Sequence, residues 1–219
     1  MRKFFSTLGA LALLTGLPAG LAAQDLAAIC SDLEGAEVGD WAEYEVSSPQ
    51  GSGTMRFAML PKGAAADEGR WFEMSMNINE QAMVLQLLVG DWPFEPDDIE
   101  AVVMKPADQP AMRVPDMMLS QLRGQMNVPM QGMSESCKSS EMLGQESVTV
   151  PAGTFNAHKL QPAEENAGQV WVSTDVPFGL VKGESPEGGM VLVGSGHDAT
   201  SSITETPQDM PGMPGLGNQ

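Results

Sequence analysis

Hydrophobic and polar residues alternate with a period of two along much of the chain from Val38 to Thr204. Over Trp41 to Ser47, Ala42, Tyr44 and Val46 fall on one side and Glu43 and Glu45 on the other, the pattern of a half-buried strand. Thr54 to Leu60 predicts the next strand. Arg70 to Ile78 predicts another, with Phe72, Met74, Met76 and Ile78 sharing one face. Gln81 to Val89 is a continuous apolar run that a helix or a strand could accommodate. Its length and the Asn79-Glu80 turn before it select a strand buried on both faces. Ile99 to Lys105 adds one more.

The second half continues in the same way. Glu146 to Val150 is rich in β-branched residues, Pro151-Ala152-Gly153 ends it, and Phe155 to Gln161 returns. Proline fixes φ and glycine accepts positive φ, so a tight turn is expected between those strands. Gln169 to Ser173, Leu180 to Glu184, Met190 to Gly194 and Ser201 to Thr204 complete the set. Helical spacing appears twice. Leu26, Ile29, Cys30 and Leu33 mark a helix over Asp25 to Leu33, and Met118, Leu119 and Leu122 mark one over Asp116 to Gln125. The stretches Ala107 to Arg113 and Gly124 to Ser140 read as irregular. The expectation is a mainly β fold of nine or ten short antiparallel strands with two short helices. It forms a single domain over residues 24–204, and the Pro/Gly-rich residues 205–219 form a disordered tail.

Residues 1–23 are read separately. Arg2 and Lys3 precede a short apolar stretch from Leu8 to Leu17, and small residues at Gly20, Ala22 and Ala23 offer a cleavage site. This is the pattern of a secretory signal peptide, and its apolar run is too short to span a bilayer. No later run reaches transmembrane length, so an exported, non-membrane-spanning protein is expected, with the periplasm of a Gram-negative bacterium as its compartment. The two cysteines, Cys30 and Cys137, then predict one disulfide, because exported chains meet an oxidising environment. Discounting Arg2 and Lys3 from the 11 basic residues leaves 9 against 29 acidic ones, a net charge of −20. Such a surface repels nucleic acid and anionic headgroups and favours cationic partners.

Val150 to Phe155 (VPAGTF), Trp171 to Ser173 (WVS) and Val176 to Lys182 (VPFGLVK) resemble a turn-and-strand pattern of uncharacterised exported bacterial proteins. These are related in architecture to the outer-membrane lipoprotein carrier (LolA/LolB-like) superfamily. The resemblance implies a single strongly curved antiparallel sheet, an incomplete barrel, with one or two short helices against its concave face. It also implies an apolar concavity that shelters acyl chains. The order of elements here, helix, sheet, mid-chain helix and return to sheet, agrees with that plan.

Candidate chemistry centres on methionine. The chain has 17, most of them between Met55 and Met142. Three readings stand side by side. Methionine can fill a core, line an adaptable hydrophobic site, or supply thioethers to Cu(I). The lining reading selects Met74, Met76, Val84, Leu87 and Met118. The copper reading selects Met126, Met130 and Met133, whose spacing lets them approach one ion. The two histidines, His158 and His197, lack companion ligands at metal spacing. Gly194-Ser195-Gly196-His197-Asp198 lacks the G-x-S-x-G elbow of a serine hydrolase. The acidic run Asp91, Glu95, Asp97, Asp98 and Glu100 lacks the rhythm of a calcium loop and reads as a solvated face. The expectation is a non-enzymatic carrier-like protein without a cofactor, holding a hydrophobic, lipid-like ligand. The alternatives are a periplasmic Cu(I)-binding protein and a structural envelope protein docking a basic partner.

Overall fold

The computed structural model describes residues 26–31, 35–49, 51–63, 68–90, 92–124, 136–164 and 167–210. Twelve strands form one curved sheet that does not close into a barrel. In chain order they are β1 (Trp41–Ser48), β2 (Gly51–Lys62), β3 (Glu68–Ile78), β4 (Gln81–Val89), β5 (Ala101–Pro106) and β6 (Met112–Arg113). Then follow β7 (Glu141–Val150), β8 (Gly153–Gln161), β9 (Gln169–Val172), β10 (Leu180–Ser185), β11 (Gly188–Gly196) and β12 (Gln208–Asp209). Three short helices accompany them: α1 (residues 26–31), α2 (Asp116–Arg123) and α3 (residues 136–139).

The spatial order is β12-β6-β5-β4-β3-β2-β1-β11-β10-β9-β8-β7. Two meanders therefore meet at a central seam between the first long strand, β1, and the last, β11. All pairings are antiparallel except β12 with β6. Short hairpins set the register. Asn79 and Glu80 both take positive φ, 52° and 65°, as the two-residue turn between β3 and β4 requires. The turn foreseen at Pro151 and Ala152 joins β7 to β8.

Alternation along the central strands puts Ala42, Tyr44, Phe57, Met59, Phe72, Leu87 and Val102 on one face, here called the inner face. Leu119 of α2 is buried against it. Two loops also fill it. Trp92 and Phe94 enter after β4, and Phe178 enters between β9 and β10, so Tyr44, Phe57, Phe72, Trp92, Phe94 and Phe178 form one aromatic cluster. Phe178 sits there at φ 63°, a strained conformation for a bulky residue that its packing must hold in place. The helix α1 packs elsewhere: Leu26 and Cys30 are buried with Leu160 and Val172, and Val170 touches both this group and the main core. The foreseen Cys30–Cys137 disulfide is present and fastens α1 beside α3.

The outer face of β2 to β5 carries Ala58, Leu60, Trp71, Ala101 and Val103, covered by a C-terminal strap that contributes Ala199 and Ile203. Here the sequence expectation needs correction. Ser201 to Thr204 is not a strand, and residues 205–210 are not a disordered tail. The strap crosses the sheet and adds β12 beside β6, with Gln208 N donating to Ala111 O at 2.8 Å and Met210 N to Arg113 O at 3.0 Å. Polar side chains, which alternation alone assigns to solvent, hold it down. Glu73, fully buried on β3, accepts from Gln86 Nε2 at 2.6 Å, from Ser202 N at 3.0 Å and from Ser202 Oγ at 2.8 Å. Gln86 Nε2 also reaches Ser201 Oγ at 2.7 Å. Lys105 forms an ion pair with Glu205.

Candidate functional site

The inner face is not filled along its whole length. Toward the β1–β2 and β10–β11 turns, a groove of about 410 Å³ opens beside the packed aromatic core. Its apolar wall is Val46, Met55, Ile78, Val170 and Met190, all half-buried. Strand register explains the grouping. Val46 pairs with Met190 across the β1–β11 seam, and Gly183 pairs with Met190 on one side and Val170 on the other. Gly183 therefore leaves room in the middle of the wall. A Cβ placed there would meet no heavy atom within 4 Å. The mouth is polar, formed by Ser47, Ser48, Ser185 and Glu187, with Glu184 ion-paired to Lys182 at 2.6 Å.

The methionines extend this lining across the sheet. Met55, Met76 and Met83 are directly opposed on β2, β3 and β4, so three thioether side chains stand in one row on the inner face. One step deeper, Phe57, Met74, Leu85 and Met104 form the next row. Directly opposed residues in a sheet have their Cβ atoms about 5 Å apart, so such rows are continuous apolar contacts. A second hollow of about 600 Å³ lies at the far end of the upper row, between Met76, Met83 and the turn at Pro106 to Gln109. It shares Ile78 with the first groove.

The residues singled out from sequence fare unevenly. Met76 lines the second hollow, and Met74 and Met118 are half-buried against the main core. Leu87 is 2% exposed and belongs to that core, leaving nothing of it for a ligand. Val84 must be removed from the set. It opposes Ser75, the neighbour of Met74, so the pleat turns it to the outer face, where it packs near Ala58 and Trp71. Met126, Met130 and Met133 lie outside the described residues. Among the described residues, no group of three or more His, Cys, Asp and Glu side chains could hold a metal ion. Val46, Met55, Ile78, Val170, Gly183 and Met190 were not singled out. Alternation marks Val46 as inward-facing, but only the β1–β11 pairing reveals which residues it faces.

The polar residues weighed for chemistry serve as ties. His197 Nδ1 lies 2.6 Å from Asp40 Oδ1, and Trp41 Nε1 donates to Asp198 Oδ1 at 2.7 Å, fastening the end of β11 to the start of β1. Ser195 opposes Ala42 in the β1–β11 ladder. Asp98 accepts from Glu95 N at 2.9 Å and caps the 3-10 turn Pro96–Asp98.

Two buried donors in the inner cluster have no such role. The Tyr44 hydroxyl and the Trp92 indole N–H find no hydrogen-bond partner among the described residues. Burial pushes the Tyr44 phenol above its ordinary pKa, so the hydroxyl keeps its proton.

No protein-family profile matches the chain, and no curated protein sequence does. Among solved structures it is similar to the crystal structure of MucB, with a TM-score of 0.39 and 10% identity over 84% of this chain and 62% of that one. It is also similar to the complex structure of Pseudomonas aeruginosa MucA/MucB, with a TM-score of 0.36 and 9% identity over 82% of this chain and 58% of that one. The chain thus spans less than two thirds of each of these structures' own chains. Likenesses this remote leave its function to be argued from its own geometry.

Proposed function

We propose that this chain is an exported, non-enzymatic carrier-like protein that holds a hydrophobic, lipid-like ligand in the groove of its inner face. One observation carries the reading. The aromatic half of that face is packed shut, whereas Val46, Met55, Ile78, Val170 and Met190 remain half-buried around an open space of about 410 Å³. That volume falls within the range of small-molecule sites, and an apolar wall with a polar mouth suits an amphiphile. Methionine suits it further, because an unbranched thioether adapts to chains of different shape.

The disulfide supports an oxidising compartment, in keeping with the signal-peptide reading of residues 1–23. The curved open sheet with α2 on its inner face supports the resemblance to the lipoprotein carrier-like superfamily in plan. No helix among the described residues is long and apolar enough to cross a membrane. Native mass spectrometry of the protein purified from its source cells tests the proposal. Bound species of lipid mass that dissociate on denaturation are expected. A protein that is empty in every preparation and takes up no added hydrophobic probe would overturn it.

A further inference from the structure

The row of three thioethers on the inner face has a chemistry that packing does not use. Met55 on β2 directly opposes Met76 on β3, and Met76 directly opposes Met83 on β4. Directly opposed residues hold their Cβ atoms about 5 Å apart, and side chains on the inner face of a curved sheet lean toward one another. Methionine is unbranched and rotates freely about its side-chain bonds, so the two outer sulfurs are able to swing toward the middle one. The row is not sealed into the core. Met76 and Met83 both line the second hollow, Met55 lines the groove next to it, and Ile78 borders both spaces. Met83 is 38% exposed, so a solute in the hollow meets the row directly.

The charges around the hollow fix the sign of what it attracts. Its ionisable lining residues are Glu80 and Asp108, both exposed, with no lysine or arginine among them. Lys105, the chain neighbour of Pro106, opposes the outward-facing Val84 and is ion-paired with Glu205 of the strap. Glu80 holds its place at φ 65°, where a two-residue turn favours glycine, so a carboxylate stands at the rim against the preference of its backbone. The full chain carries a formal charge of −18, which draws cations further. An acidic rim alone would suit any cation. The thioethers narrow the choice, because these neutral sulfur donors select soft ions over hard ones such as Ca²⁺ and Mg²⁺. We propose that Met55, Met76 and Met83 form a binding site for a soft monovalent cation, Cu(I) or Ag(I), attracted by Glu80 and Asp108.

The test uses the full mature chain with its disulfide intact. It is titrated with silver nitrate in chloride-free buffer and, without oxygen, with Cu(I) in competition with a chromophoric chelator. The wild-type protein binds one equivalent of each ion. Leucine is close to methionine in volume, so Met76→Leu removes the middle sulfur, keeps the thermal midpoint and weakens the binding of both ions at least tenfold. Replacing Met55, Met76 and Met83 together by leucine abolishes the site. Equal affinity in the triple variant and the wild type overturns the proposal, as does a wild type that binds neither ion. A loss found instead on replacing Met126, Met130 and Met133 by leucine assigns the ion to that segment and overturns it as well. Carbon-13 spectra of the methionine ε-methyl groups give an independent readout on the wild-type fold should the triple variant misfold. One equivalent of Ag(I) shifts the resonances of Met55, Met76 and Met83, each assigned by its single leucine variant. Shifts confined to other methionines contradict the site.

Discussion

The Ser202 hydroxyl donates to Glu73 Oε1 at 2.8 Å although 129 residues separate the two. This contact joins the C-terminal strap to the middle of the sheet. Glu73 is fully buried, and its carboxylate is the shared acceptor for Gln86, for the Ser202 backbone and side chain, and for the Arg56 guanidinium at 3.4 Å. Truncation would leave several buried donors unmatched at once. Glu73→Ala should destabilise the protein by about 3 kcal/mol, the scale for breaking a buried charged network. A urea midpoint shift reads this. A change below about 0.5 kcal/mol, typical of an ordinary surface site, would show that the strap does not depend on Glu73.

The strap also has a pH-dependent anchor. The hydrogen bond from Lys105 holds the Glu205 carboxyl below its ordinary pKa, so the pair stabilises the folded strap above the unfolded value, about 4.3. That contribution is lost as pH falls through the lowered folded value. Hydrogen-exchange protection factors of residues 199–210 should therefore hold between pH 8 and 5 and drop below pH 4. In Glu205→Gln the part of the drop due to this pair disappears. Identical pH profiles for the two proteins would contradict the assignment.

Reduction of Cys30–Cys137 releases a loop closed over a sequence separation of 107. In the chain-entropy account a loop of that size is worth about 4 to 5 kcal/mol. A lowered urea midpoint with reductant is expected, together with alkylation of both thiols only after reduction. An unchanged midpoint would mean that α1 and α3 stay docked without the bond.

Phe178 is the residue most exposed to conflict between backbone and packing. Its φ of 63° is unfavourable, and ring contacts to Phe57, Phe72 and Trp92 at 6.0, 6.3 and 5.4 Å hold it. Phe178→Ala keeps the strained backbone and discards the contacts, so it should cost about 3 to 5 kcal/mol. A loss under 1 kcal/mol would show that the loop carries little of the core.

Much of this fold was legible in the chain. Alternation at Ala42, Tyr44 and Val46, and at Phe72, Met74 and Met76, is a local consequence of the pleat and reports strand and face directly. The turn at Pro151 and Ala152 was equally local. The strap was not legible, because Ser201 and Ser202 look like loop residues until Glu73 and Gln86 are seen beneath them. The groove was only half legible. Its residues come from β1, β2, β3, β9, β10 and β11, and their meeting depends on the β1–β11 seam, a pairing between opposite ends of the chain. Val84 was misplaced for a related reason. In an apolar run such as Gln81 to Val89, composition does not distinguish the two faces, and only the partner strand decides which residues point inward.

Gly183 offers the most direct test of the groove as a ligand site. It lies in the apolar wall, its backbone is compatible with any side chain, and a Cβ there meets nothing within 4 Å. Gly183→Phe should therefore fill the space without disturbing the fold. Diphenylhexatriene titration of the lipid-free wild-type protein and of this variant, with thermal midpoints measured alongside, is the decisive comparison. Saturable uptake by the wild type and at least a tenfold loss in Gly183→Phe at unchanged midpoint is the predicted result. Equal uptake by both proteins would place hydrophobic binding elsewhere and contradict the account.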